Sequence, residues 1–221
     1  MRSLINTFVR YKPVAVQLLL SAFCLILKIM RYSKSGNFTF IFLGWNLFLA
    51  WIPLFFALIW RNRLKFGKLA KWKAISMFCL WLLFFPNAPY LITDLVHLNT
   101  RFNPAIWADT LLLFSCALAG LVLGIYSLHI VHKLIIRYLG EFKAWLVIGG
   151  SLILTGYGIY LGRVQRWNSW DLFTRPVTLL IDTIHQLGNP QAIKMTIGFS
   201  ALLFIIYFMF KTIIHHERTK G

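Results

Sequence analysis

Two pairs of aspartate and histidine have the spacing that brings side chains together on a helix. Asp94 and His97 are three residues apart in the stretch FFPNAPYLITDLVHL, and Asp182 and His185 repeat that spacing. Residues three apart share one face of a helix. A carboxylate and an imidazole on one face suit binding of a divalent metal or general acid–base catalysis. In a plainer interpretation, each aspartate pairs with an arginine and each histidine lies at a membrane surface.

A second polar motif, RVQRWNSWD, runs from Arg163 to Asp171. It brings two guanidinium groups, two indoles, an amide and a carboxylate together within nine residues. Guanidinium groups bind carboxylate or phosphate through two parallel hydrogen bonds, and tryptophans stack or anchor at the level of lipid head groups. The motif therefore predicts either part of a binding site or an interfacial anchor held by internal ion pairs.

The two motifs together define a candidate site. Its predicted catalytic groups and metal ligands are Asp94, His97 and Asp171, and Asp182 and His185 are secondary ligand candidates. The predicted substrate-binding residues are Asn87, Tyr90, Arg163, Arg166, Trp167, Asn168 and Trp170. The cofactor that such ligands would hold is a divalent metal.

The elements that must position these residues are membrane-spanning helices. Of the 221 residues, 59% are apolar and 13% are charged, whereas a soluble domain has about 25% charged residues. A spanning helix needs about 20 mostly apolar residues, and six stretches reach or approach that length. They cover residues 13–30, 38–60, 74–98, 106–131, 144–162 and 195–210. We therefore predict an all-α polytopic membrane helix bundle that forms a single integral membrane domain over residues 1–221.

The third predicted span is broken by two prolines. Pro86 and Pro89 each lack an amide donor and disfavour helix at the preceding residue. Pro86 comes thirteen residues after Lys73, which is about 20 Å along a helix. Non-helical backbone at this depth is buried in protein or lines a wet cavity. A discontinuous helix that shapes a site and a proline kink satisfied by neighbouring helices are both consistent with this pattern.

Residues 176–187 form a predicted amphipathic helix. Val177, Leu180, Ile181 and Ile184 recur at helical spacing, which places them on one face. We expect this helix to lie on the outer membrane surface.

The net charge of +17 is explained by membrane topology. With the N-terminus in the cytoplasm and six spans, 15 of the 23 basic residues are cytoplasmic, as the positive-inside rule requires. The stretch from Arg61 to Lys73 holds the largest group and is a predicted partner of anionic lipid in the bilayer. No nucleic-acid partner is predicted, because the basic residues form no single recognition surface. Four of the six acidic residues fall on the outer side, namely Asp94, Asp109, Asp171 and Asp182.

The motifs FPNAPY-x-x-TD-x-x-HL and R-x-x-RWNSWD resemble those of a family of small bacterial multi-pass membrane proteins known only as a domain of unknown function. The resemblance extends from about Phe38 to about Phe210. It implies a polytopic bacterial membrane protein. We predict that the protein lies in the bacterial cytoplasmic (inner) membrane, with both termini cytoplasmic as the charge pattern indicates. The resemblance implies no activity, cofactor or catalytic residue, and the second Asp-x-x-His pair lies outside both motifs.

Three functions are consistent with the sequence. The first is an enzyme, metal-assisted or not, that acts on a lipid-linked or envelope substrate at the outer face, where Arg163 and Arg166 hold an anionic head group. The second is a non-catalytic scaffold or complex partner whose polar motifs serve the fold. The third is a transporter of a small solute or ion, which a broken helix favours and the lack of a matching break in the sixth span disfavours.

Overall fold

The computed structural model describes residues 2–35, 40–64, 69–98 and 106–220. Every regular element within these ranges is helical, which confirms the all-α class. The α-helices are α1 (Arg2–Ser35), α2 (Ile41–Arg63), α3 (Lys71–Phe84), α4 (Asn87–Tyr90), α5 (Ile106–Leu139), α6 (Glu141–Arg163), α7 (Asp171–Thr174), α8 (Pro176–His185) and α9 (Pro190–Lys220). Two 3₁₀-helices, Leu91–His97 and Gln186–Gly188, follow α4 and α8.

Six helical segments in the described ranges are long and apolar enough to cross a membrane. They are Lys12–Ser33, Ile41–Arg63, Lys71–His97, Ile106–Leu139, Glu141–Arg163 and Pro190–Ile214. Each overlaps one predicted span, although residues 38 and 39 of the second prediction lie outside the described residues. The chain is therefore an integral membrane protein built as a polytopic helix bundle.

Helix α5 forms the centre of the bundle. Of its most apolar window, 67% is buried inside the protein, compared with 11% for the last span. It packs against α1, α2, α4, α6 and the 3₁₀-helix Leu91–His97. Helix α9 packs mainly against α6, so most of its surface is left for lipid.

The chain between α3 and α5 changes helix type twice. Helix α3 ends at Phe84, α4 forms a single turn, and the segment continues as the 3₁₀-helix Leu91–His97. Pro86 and Pro89 lack the amide donors that a continuous α-helix would use there. The amide of Tyr90 instead bonds the carbonyl of Pro86 at 3.0 Å.

Small residues on two neighbouring helices allow close approach to this segment. A Cβ atom on Gly120 of α5 would collide with the carbonyl oxygen of Ala88, and one on Gly158 of α6 would lie 3.0 Å from Pro86 Cγ. Close backbone approach at glycine is typical of membrane helix pairs. The segment that carries the first motif is therefore held between α5 and α6.

The predicted amphipathic helix is present as α8. Its apolar side chains are exposed on the protein, with Val177 68% and Leu180 60% accessible. The hydroxyl of Tyr157 on α6 donates to the carbonyl of Thr183 and attaches α8 to the bundle. An exposed apolar face beside spanning helices is typical of contact with lipid.

Candidate functional site

The first motif is centred on a buried ion pair. Asp94 is only 1% exposed, and its Oδ1 lies 3.1 Å from Nη1 of Arg163 at the end of α6. Its Oδ2 accepts a hydrogen bond of 2.9 Å from Nδ2 of Asn46 on α2. Both carboxylate oxygens are thus occupied, and the cluster joins α2, the 3₁₀-helix and α6.

Arg163 also holds the histidine of the first motif. Its Nη2 lies 3.0 Å from Nε2 of His97. A guanidinium only donates, so Nε2 is the acceptor and the neutral imidazole carries its proton on Nδ1. The guanidinium carbon lies 5.9 Å from the centre of the Tyr90 ring, within reach of a cation–π interaction. The predicted pairing of Asp94 with His97 therefore runs through Arg163.

The carboxylate of the second motif is used to build a turn. Asp171 is 3% exposed, and its Oδ2 accepts a bond of 2.8 Å from the backbone amide of Asn168. Its Oδ1 accepts from the hydroxyl of Thr174 at 3.2 Å and lies 3.6 Å from Nη2 of Arg175. The hydrogen bond from the backbone amide of Asn168 is the main reason why the pKa of the Asp171 carboxyl lies below its usual range.

The two motifs are joined by an asparagine and a serine. Nδ2 of Asn87 donates to the carbonyl of Phe84 and to Oγ of Ser169, both at 2.9 Å. Oγ of Ser169 in turn donates to the carbonyl of Leu83 at 3.1 Å. The backbone carbonyls of Leu83 and Phe84, at the end of α3, therefore accept hydrogen bonds from side chains, and the donor to Leu83 is Ser169 of the second motif.

A cavity of about 180 Å³ lies between the two motifs. Its polar walls are amides and a hydroxyl, and its aromatic walls are a phenol and an indole. It is lined by Asn46, Leu49, Leu83, Pro86, Asn87, Tyr90, Gly158, Leu161, Gly162, Trp167, Asn168, Ser169 and Leu179. Amides donate and accept in equal measure, so these walls suit a polar group rich in hydroxyls or ester oxygens. Pockets for drug-sized ligands measure about 300–1,000 Å³, so this one has room for a head group only.

The family described as "Protein of unknown function (DUF1361)" matches residues 45–206. The chain belongs to the DUF1361 family. No curated protein and no solved structure matches it. Asn46, both motifs and every residue that lines the cavity fall within the matched range.

Three of the four aspartates that we predict on the outer side of this DUF1361 protein pair with arginine, as the plainer interpretation expects. The pairs are Asp94 with Arg163, Asp109 with Arg31, and Asp171 with Arg175. Arg31 binds Asp109 through two nitrogens, at 2.5 Å from Nε and 3.3 Å from Nη2, and joins α1 to α5. The clustering of acidic residues on one side is therefore largely a set of helix-to-helix and turn-forming contacts.

The predicted metal centre gains no support from this geometry. In the described ranges of the DUF1361 protein, no three His, Cys, Asp or Glu side chains lie close enough together to hold a metal ion. Asp94 and His97 both contact Arg163, whereas Asp171 belongs to the separate network around Asn168. A metal held by Asp94, His97 and Asp171 stays a prediction.

The remaining predicted residues lie around the cavity or apart from it. Tyr90, Trp167 and Asn168 line it. Arg166 is exposed and has a positive φ of 61°, and the Trp170 ring lies edge-on to Trp45 with centroids 5.9 Å apart.

The secondary ligand candidates stand on α8. Asp182 is half-buried and His185 is exposed. Within the part of the chain that the structure describes, no hydrogen bond or ion pair joins either side chain to Asp94 or His97. They too stay a prediction.

Sequence reasoning missed Asn46 and Ser169, two polar residues that line the cavity. Ser169 lies inside the second motif but was not among the predicted site residues. Asn46 bonds Asp94 and lines the cavity, but it is 48 residues away in the chain. The sequence did hold one signal for Asn46. Its side-chain amide lies within the uncharged predicted span 38–60, and an amide in hydrocarbon is unfavourable unless it has a hydrogen-bond partner.

Proposed function

We propose that this DUF1361 protein binds the polar head group of a lipid-linked or envelope molecule in the cavity between its two motifs. The observation that carries the proposal is the cavity wall, where Asn46, Asn87 and Asn168 converge with the rings of Tyr90 and Trp167. Ligand sites typically combine apolar and aromatic surface with a few convergent polar groups.

The engagement of the carboxylates favours binding over acid–base chemistry. Asp94 accepts from Asn46 and Arg163, and Asp171 accepts from Asn168 and Thr174. Neither aspartate is among the residues that line the cavity, so neither carboxylate is placed to take a proton from a molecule bound there. The same bonds hold the segments that shape the cavity.

Helix α8 supports a route from the bilayer to the cavity. Leu179 lines the cavity, while its neighbours Val177 and Leu180 are exposed. We infer that these exposed side chains lie in the outer leaflet of the bacterial cytoplasmic membrane. A head group at that depth would then be next to the cavity.

The charge pattern supports this orientation. With both termini in the cytoplasm, 15 of the 23 basic residues are cytoplasmic, and the cavity faces outward. The basic stretch from Arg61 to Lys73 then meets the anionic inner leaflet. Residues 65–68 of that stretch lie outside the described residues.

The proposal is tested by identifying what the protein carries out of the membrane. The protein is purified in nanodiscs made with the total lipid of the producing cells, and bound molecules are identified by native mass spectrometry. Leu179→Phe enlarges a side chain that lines the cavity. Leu180→Phe adds the same atoms at a position that is 60% exposed. We expect Leu179→Phe to lose a molecule that Leu180→Phe retains.

An identical set of bound molecules in the wild type and both variants would contradict the proposal. Asn168→Ala is the second variant if Leu179→Phe does not fold. Asn168 is exposed, its side-chain amide makes only a 3.4 Å contact with Asp171, and the variant keeps the backbone amide that bonds Asp171 at 2.8 Å. If Asn168→Ala retained every molecule that the wild type binds, this result would also contradict the proposal.

A catalytic role is the second candidate, and the exposed His97 favours it. Arg163 occupies Nε2, which leaves Nδ1–H of the neutral imidazole as a hydrogen-bond donor that can polarise a carbonyl or phosphoryl oxygen of a substrate. The test is a mass change in the bound molecule during incubation of wild-type nanodiscs, and its absence in His97→Phe, which has no donor. Equal conversion by the two proteins would exclude a catalytic role for His97.

A further inference from the structure

A second, mostly apolar cavity with several polar lining residues lies about 25 Å from the first, measured along α6 at 1.5 Å per residue from Trp145 to Gly162. At this end, His132 of α5 is 1% exposed, and its Nδ1 lies 2.6 Å from the hydroxyl of Tyr207 on α9. Its Nε2 is buried and has no hydrogen-bond partner among the described residues. A buried polar atom without a partner is unusual in a folded protein.

The same histidine lines a cavity whose walls carry positive charge. The cavity measures about 180 Å³, and its polar lining is His129, His132, Lys133, Tyr207 and Lys211. Among the residues that the structure describes, no carboxylate belongs to this lining. The two lysines give the described walls a positive charge, which favours an anion over a cation.

Two contacts place the Lys211 ammonium at this site. Its Nζ lies 4.6 Å from the centre of the Trp145 ring, and the Trp145 ring lies 4.8 Å from the His132 ring. Glu141, whose side chain is 70% exposed, approaches Lys211 at 3.6 Å. This carboxylate competes with any anion that binds Lys211.

The donor set points to the chemistry of the ligand. When the Tyr207 hydroxyl donates to Nδ1 of His132, Nε2 carries the proton and becomes a donor without an acceptor. An anion with several oxygens can accept from the ammonium groups of Lys133 and Lys211 together, and a turn of the buried His132 ring toward the cavity would add Nε2–H. A phosphate group has three or more acceptor oxygens. We propose that this cavity binds a phosphate group, supplied by a phospholipid head group or by soluble phosphate.

The experiment uses the full chain in a phosphate-free non-ionic detergent, with two probes. Inorganic phosphate is titrated and followed by the melting temperature, and phosphatidylglycerol is titrated and followed by native mass spectrometry. We expect at least one probe to bind the wild type. A response to phosphatidylglycerol alone identifies the lipid as the source, and a response to inorganic phosphate identifies the soluble ion.

Four variants separate a built site from general attraction to a basic surface. Lys211→Gln and His132→Phe are each expected to weaken binding about tenfold. Lys211→Gln removes an ammonium that attracts the anion, and His132→Phe removes the ring N–H that would donate to it. Glu141→Gln is expected to strengthen binding about threefold by removing the competing carboxylate. Lys143→Gln removes an exposed lysine outside the cavity lining and is expected to change nothing.

The proposal is overturned if neither probe binds, or if Lys143→Gln weakens binding as much as Lys211→Gln does. It is also overturned if Glu141→Gln weakens binding. Lys211 has a partly exposed side chain at 26%, so its substitution remains informative if His132→Phe does not fold. None of these outcomes depends on the function proposed for the first cavity.

Discussion

Removal of the Arg163 guanidinium is expected to destabilise the protein more than removal of the charge on its partner. Asp94 is 1% exposed, whereas the Arg163 side chain is 20% exposed. Arg163→Met leaves a carboxylate buried without its counter-charge. Asp94→Asn leaves a guanidinium that reaches solvent and retains His97 as an acceptor.

The magnitude follows from the distance and the burial. Opposite charges about 4 Å apart attract by about 4 kcal/mol at an effective dielectric constant of about 20. Truncating one partner of a buried pair costs about 3–5 kcal/mol, which is the loss expected for Arg163→Met. Asp94→Asn retains a polar group for Asn46 and Arg163 and is expected to cost about 1–2 kcal/mol. The double variant then loses less than the sum of both, with a coupling energy of about 2 kcal/mol.

The free energy of unfolding is measured in mixed micelles by raising the mole fraction of an anionic detergent, with helix content followed by circular dichroism. Arg166→Met is the matched control, because Arg166 belongs to the same motif and is exposed. Its effect is expected to stay within about 0.5 kcal/mol. Additive single effects, with a coupling energy below about 0.5 kcal/mol, would refute the argument that the pair forms one buried unit.

Three further predictions concern packing, the link between the motifs, and pH. Gly120→Ala places a methyl group against a backbone carbonyl and should cost about 1–3 kcal/mol; Gly150→Ala, which meets no atom within 4 Å, should stabilise by about 0.5–1 kcal/mol. Equal effects of the two would contradict the packing argument. Asn87→Ala should lower the free energy of unfolding by about 1–3 kcal/mol, because it leaves a backbone carbonyl unsatisfied. The double variant Asn87→Ala/Ser169→Ala should lose less than the sum of the two single losses, and a sum equal to the double loss would contradict the link between the motifs. Because the pKa of Asp171 is lowered in the folded state, its contribution is complete at neutral pH and lost as pH falls below about 3.9 through the folded pKa. The difference in melting temperature between the wild type and Asp171→Asn should therefore shrink in acid, and a constant difference between pH 7 and 3 would be inconsistent with it.

The fold class could be predicted from the sequence because the thickness of the bilayer sets the length of a spanning helix. A spanning helix needs about 20 apolar residues, and the six stretches that satisfy this rule all recur as helices in the structure. The ends of the helices were predicted less accurately than their existence. Helix α5 continues to Leu139, eight residues beyond the predicted end at 131. Lys133 ends the uncharged stretch but not the helix, because Leu134 and Ile135 beyond it are still buried in the bundle.

Part of the candidate site was also readable, because local spacing constrains local geometry. Asp94 and His97 lie near each other as their three-residue spacing predicted, and Asn168 and Asp171 form one turn within their motif. The two prolines predicted a broken third helix, and this stays a prediction. Helix α3 ends at Phe84, but Phe85 and Pro86 keep right-handed helical backbone angles, and Lys71–His97 forms one helical span.

Contacts between distant segments were decided by the tertiary structure alone. Asn46 reaches Asp94 across 48 residues, Arg163 reaches it across 69, and His132 meets Tyr207 across 75. No periodicity or spacing encodes such contacts, since they depend on how the helices pack around α5. The sequence by itself thus determined which residues are polar within the membrane and which short-range pairs they form. The packing decided that the carboxylates bind arginine and asparagine, because a buried charge is stable only beside the partner that the fold brings to it.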